Sequence, residues 1–122
     1  MRRLEVLQWF GLLAGAVMWG AAHVIGYGAT EAACNSAGSR WGIDLHLWEG
    51  LINGAAGVIS LGAALAAVAV IVLTRDVSYE EGPPVGRARF FAIAALVANV
   101  LFIAMIALYS AGSIANAPCR QA

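Results

Sequence analysis

Lysine is missing altogether from this 122-residue sequence, and charge of either sign is scarce. Seven arginines balance seven carboxylates, charged residues make up 11%, and the formal net charge is zero. A chain without excess positive charge has no electrostatic footprint for a phosphate backbone, so nucleic acid is not an expected partner. A soluble domain typically carries about 25% charged residues. Only two histidines and two cysteines are present. The sequence contains no phosphate-binding glycine loop, no H-E-x-x-H, no C-x-x-C-H and no nucleophile elbow, which removes the usual signatures of nucleotide, zinc, c-type haem and acyl-transfer chemistry. No two carboxylates fall at a catalytic spacing within one apolar run, and no catalytic residue is expected. The reading is a non-enzyme with no cofactor.

What is abundant is apolar surface: 61% of residues are hydrophobic. A chain this short cannot hide that fraction in a core, because its surface is large for its volume. Lipid as solvent removes the conflict. Three apolar runs stand out, Val6–Tyr27, Leu47–Leu73 and Phe90–Gly112. Each supplies the ~20 residues needed to cross a hydrocarbon core. The first exceeds the roughly 7–15 apolar residues of a cleavable signal peptide, so it is read as a span. The sequence therefore predicts an all-α integral membrane domain over 1–122, a bundle of three transmembrane helices at about 5–28, 46–74 and 88–113. Two connections remain: a first loop at about Gly28–Asp44 holding Gly38 and Trp41, and a second at Arg75–Gly86 with Pro83 and Pro84 as turn formers.

Arginine placement gives an orientation. Arg2, Arg3, Arg75, Arg87 and Arg89 fall on one side of the predicted bundle, Arg40 and Arg120 on the other. The excess marks the cytoplasmic side, which places the N-terminus inside and the C-terminus outside. Trp9, Phe10, Phe90 and Phe91 then sit at the inner interface, and Tyr27, Trp41, Trp48 and Tyr109 at the outer one. The same drawing puts Cys34 and Cys119 together on the outer, oxidising side, where disulfides persist. A bridge closing so long a loop contributes about 4–5 kcal/mol at most in the chain-entropy account. A copper or haem-linked thiol site is the alternative use of the pair, but two distant cysteines have no ligand spacing.

Several polar residues fall within or near the spans. Trp19, His23, Tyr27 and Glu31 recur every four residues and form one helical stripe. His46, Glu49 and Asn53 share a face of the second helix. Intramembrane ionisable groups need protein or water around them. Either both stripes pack on each other and on neighbouring subunits, or His23 and His46 ligate a metal or haem iron through neutral imidazole. Asn99 lies about 16 Å along the third helix, where an amide ordinarily bonds across a helix interface. Gly11 and Gly15, and Gly50 and Gly54, form two G-x-x-x-G pairs, read as close-approach faces within the bundle or towards another subunit.

The stretches Gln8-Trp-Phe-Gly-Leu-Leu, His23-Val-Ile-Gly-Tyr-Gly-Ala-Thr-Glu-Ala-Ala-Cys34 and Pro118-Cys-Arg-Gln resemble a group of small three-helix bacterial membrane proteins of actinobacterial type, associated with cytochrome c oxidase gene clusters. The arginine-only, Ala-, Gly- and Val-rich composition fits a GC-rich bacterial genome. The resemblance covers most of the chain and carries no catalytic residue over. It implies a multi-pass plasma-membrane protein that is an accessory subunit or assembly factor of a haem–copper oxidase type complex, with the lipid bilayer and other membrane subunits as partners. The alternatives are a small haem- or copper-binding membrane protein, and a subunit of an oligomeric small-molecule transporter. Three helices are too few to enclose a transport path alone.

Overall fold

The computed structural model describes residues 2–35, 41–78, 80–83, 85–117 and 119. Gly38, Arg40, Pro84, Pro118, Arg120 and Gln121, used above to place loops, sides and a motif, lie outside them. The described residues form three helices and no strand: α1 Arg2–Cys34, α2 Leu45–Leu73 and α3 Val85–Ala115. At 1.5 Å per residue they run to about 43–50 Å, beyond a hydrocarbon core of ~30 Å. All three are long and apolar enough to cross a membrane. The short connections make consecutive helices antiparallel, so one end of the bundle carries Cys34 and Cys119 and the other carries Arg75, Arg87 and Arg89.

The first helix is longer than its apolar run. It continues through Gly28-Ala-Thr-Glu-Ala-Ala to Cys34, so the expected loop does not begin at Gly28. Alanine and glutamate are strong helix formers, and a single glycine costs too little to stop a helix already packed on two neighbours. The connection is tied back by Trp41 N–H donating to Ala32 O at 3.0 Å. Asp44 then caps α2, its carboxylate accepting from Leu47 N–H at 3.2 Å. At the far end Thr74 closes α2 with its hydroxyl on Val70 O at 2.7 Å.

The core consists of small residues. On α2 the buried positions include Glu49, Asn53, Ala56, Ser60, Ala63, Ala67 and Val70, followed by Thr74, with Leu45, Ala64 and Ala66 buried beside them. The alternating steps of four and three from Glu49 to Thr74 trace the seam of a left-handed helix pair. Ala88, Ala92, Ala95 and Asn99 do the same on α3, and Gly11, Gly15, Ala22 and Gly26 face them from α1. Large apolar side chains point outward instead: Val24 is 74% exposed, Val58 71% and Leu108 74%. In water this arrangement would be inverted. In lipid it is the expected one, because helix association there relies on close backbone approach rather than on burying bulk.

Gly11 and Gly15 realise their expected role. A methyl at Gly11 would meet the Ala63 and Ala67 backbone at 3.3 Å, and one at Gly15 would overlap the Asn99 side-chain oxygen. Gly50 and Gly54 do not pack within the bundle: both are exposed, with nothing within 4 Å of an added Cβ. The two motifs read alike in sequence, but the α2 pair lies on the face opposite the Ala56–Ala63–Ala67 seam.

Candidate functional site: a polar cleft at the disulfide end

At the end carrying Cys34 and Cys119 the helices spread around a cleft of about 440 Å³. The two cysteines pair as a disulfide, with Cα atoms 5.2 Å apart. The bridge joins the last residue of α1 to the segment after α3, as expected from the sequence. Cys119 itself adopts a left-handed backbone conformation, φ 64°.

α1 contributes His23, Tyr27 and Glu31 to the cleft, the stripe read from the four-residue spacing, together with Thr30. α2 contributes His46 and Glu49 from its first turns. The two stripes thus meet around one cavity. Asn53 is buried one turn deeper on the same face as Glu49. Trp19, the first residue of the α1 stripe, is half-buried beside an apolar cluster of Ala22, Ala56 and Ile106. That cluster takes one residue from each helix. Along the helices it lies closer to the bundle centre than the cleft residues, and none of the three lines the cleft.

Three helices meet at Glu49. Its carboxyl accepts from Ser113 Oγ of α3 and lies 3.2 Å from Thr30 Oγ1 of α1. Thr30 Oγ1 is also 2.9 Å from Gly26 O in its own helix, so its single proton has two acceptors in reach. Burying a carboxyl is costly without such partners, and Glu49 is only 9% exposed. Its position explains how a seam of small residues can hold a glutamate: the cleft leaves room for the side chain, and hydroxyls from both neighbours reach it.

The α1 stripe departs from expectation in one respect. His23 was expected to find its contacts on α2. Its ring instead packs on Trp19 at 4.8 Å and on Tyr109 of α3 at 5.0 Å. His23, Tyr27 and Glu31 are all exposed, so the stripe lines the cleft without being buried against α2. Tyr109 is correspondingly not a pure interface ring: it is half-buried and lines the cleft. Thr30, Tyr109, Ser113 and Asn116 are the polar cleft residues that sequence reading missed. The recurrence Tyr109, Ser113, Asn116, at helical spacing on α3, was the available signal.

Among the described residues, no group of three or more His, Cys, Asp or Glu is placed to hold a metal ion. The described cleft lining includes two carboxyls, two imidazoles and two phenols, and no arginine. A second, apolar hollow of about 280 Å³ lies between α1 and α2 below the first connection, walled by Ile25, Ala29, Trp41, Trp48 and Ile52. No protein-family model matches this chain, and neither a curated protein nor a solved structure is found to be similar to it.

Proposed function

We propose that the chain is a non-catalytic accessory subunit or assembly factor of a larger complex in the bacterial plasma membrane, of the haem–copper oxidase type, with its N-terminus inside and its C-terminus outside. The observation that carries the subunit reading is the outward α2 strip Gly50, Gly54, Val58, Leu61. Two glycines facing lipid weaken a helix, by roughly 0.5–1 kcal/mol each relative to alanine, and gain nothing within the bundle. Against a further helix they allow close backbone contact. The respiratory assignment rests on the resemblance of the His23–Cys34 and Pro118–Gln121 stretches, and the orientation on the arginine bias.

The test is co-purification from native membranes under mild detergent. Terminal oxidase subunits should accompany the tagged protein, and a Gly50→Leu, Gly54→Leu double variant should insert yet lose them. Recovery of the wild-type chain alone, at every detergent strength, would remove the subunit reading.

A second reading, a small haem- or copper-binding protein, is favoured by one observation: His23 and His46 line the same cleft. A visible absorption spectrum of the purified protein decides it. A pigment that vanishes in His23→Phe establishes that reading; a colourless protein removes haem.

A further inference from the structure

We infer that the cleft at the disulfide end is a binding site for a small organic ammonium group, with Glu49 as its counter-charge and the Tyr109 and Tyr27 rings as its walls. Its volume of about 440 Å³ falls within the 300–1,000 Å³ common for small-ligand sites. Its lining draws on all three helices, with His23, Tyr27 and Glu31 from α1, His46 and Glu49 from α2 and Tyr109 and Ser113 from α3. Three features select the chemistry. First, both carboxyl side chains in the described lining, Glu31 and Glu49, sit beside neutral polar and aromatic groups, with no arginine in that lining. An anion would meet repulsion from the two carboxyls. Second, the walls are aromatic. A cation within about 6 Å of a phenol or similar ring face is attracted by the ring quadrupole, which is the basis of quaternary ammonium cages. The Tyr109 ring packs at a tilt on His23, which packs at a tilt on Trp19, so that wall is built before a ligand arrives. Third, the Glu49 carboxyl is fixed by the hydroxyls of Thr30 and Ser113, which hold its position without neutralising it. A hydrated inorganic cation would have no use for the rings, and the carboxyls and imidazoles do not converge into a metal-ligating group.

The inference does not rest on the accessory-subunit reading, since the purified chain alone can bind. The ammonium could belong to a free solute or to a lipid headgroup such as phosphatidylethanolamine; the recognition chemistry is the same. Tetramethylammonium chloride, titrated calorimetrically into the protein in maltoside micelles, is the probe. Saturable binding is expected, with at least tenfold loss in Glu49→Gln and at least fivefold loss in Tyr109→Leu, but less than twofold change in Tyr109→Phe, which keeps the ring. The intact disulfide and the helical circular dichroism of each variant check the fold. Glu31→Gln, at an exposed position that leaves the bundle untouched, should weaken binding several-fold and serves if Glu49→Gln does not fold. Repeating the titration in nanodiscs separates the sources. Competition by phosphatidylethanolamine but not phosphatidylglycerol identifies a headgroup, and unchanged affinity in both identifies a free solute. Absence of saturable binding, equal binding of the neutral isostere 3,3-dimethylbutanol, or indifference to Glu31→Gln and Tyr109→Leu would each overturn the proposal.

Discussion

The side-chain amide of Asn99 donates to the main-chain oxygen of Gly11 at 2.6 Å, joining α3 to α1 across the interior of the bundle. The bond is possible because α1 presents glycine at two successive turns. Gly11 lets α1 lie on the Ala63 and Ala67 backbone of α2, and Gly15 leaves the space that the Asn99 carboxamide fills. Substitutions here separate steric from polar contributions. Gly15→Ala should destabilise the bundle by about 1–3 kcal/mol, the usual cost of overpacking. Asn99→Ala should cost less, because interhelical hydrogen bonds in membranes average about 0.6 kcal/mol and reach about 1.7. The double variant should cost clearly less than the sum, since removing the amide removes the clash. Thermal unfolding in detergent of the four proteins in the cycle measures the coupling. Additive losses would mean that Gly15 and Asn99 do not share this space.

The disulfide gives a simpler expectation. With Cys34 and Cys119 bonded, alkylation without reductant should modify neither, and reduction should expose both. The Cys34→Ser, Cys119→Ser pair should unfold at lower temperature, by an amount corresponding to no more than the about 4–5 kcal/mol of the chain-entropy account. Two freely alkylated thiols in protein taken directly from membranes would place this end of the bundle in a reducing compartment and reverse the proposed orientation.

The orientation has its own test at the other end. Arg75, Arg87 and Arg89 cluster around the second connection, where the Arg89 guanidinium also donates to Arg75 O at 3.2 Å and so ties the start of α3 to the end of α2. A reporter active only outside the cytoplasm should be silent when fused at Glu81. The Arg75–Asp76 pair beside it is exposed on both sides, and Asp76→Asn should change stability by less than about 1 kcal/mol.

What could be read beforehand follows from which physical signals are local. The spans were legible because lipid demands unbroken apolar length, and α2 agrees with its expected bounds to within a residue. The Gly11, Gly15 and Asn99 contacts were legible as a type, since small residues and a lone amide have few other uses in a span. Their partners were not: Gly50 and Gly54 carry the same signature and face outward, because which side of a helix meets its neighbours depends on the other two helices. The extension of α1 to Cys34 was hidden for a related reason. Hydropathy marks where lipid ends, whereas helix propensity and packing decide where the helix ends. The cleft was half legible: spacing on α1 and α2 predicted two polar stripes, but the contribution of α3 through Tyr109 and Ser113 needed the tertiary arrangement.

Glu49 offers the sharpest test of that arrangement, because its partners differ in what they lose. Among the described contacts, Ser113 Oγ donates to Glu49 alone, whereas Thr30 Oγ1 also has Gly26 O at 2.9 Å. Thr30→Val should therefore be nearly neutral: the carboxyl keeps Ser113, and the Gly26 carbonyl accepts only a supplementary bond. Ser113→Ala removes one of the two hydroxyls from a buried carboxyl, and should cost about 1–3 kcal/mol. Glu49→Leu removes the polar group itself but strands the Ser113 hydroxyl and crowds the top of the Asn53–Ala56 seam. Its cost should exceed that of Thr30→Val while releasing α3 from α1 and α2 locally. Hydrogen exchange localises the effect. Amides around 109–116 should exchange faster in Ser113→Ala and Glu49→Leu, and those near Asn99 should not change, because the Asn99–Gly11 bond lies more than two helical turns away along α3. Uniform loss of protection along the whole of α3 would show instead that the helix is held as one unit and that Glu49 is not a local clasp.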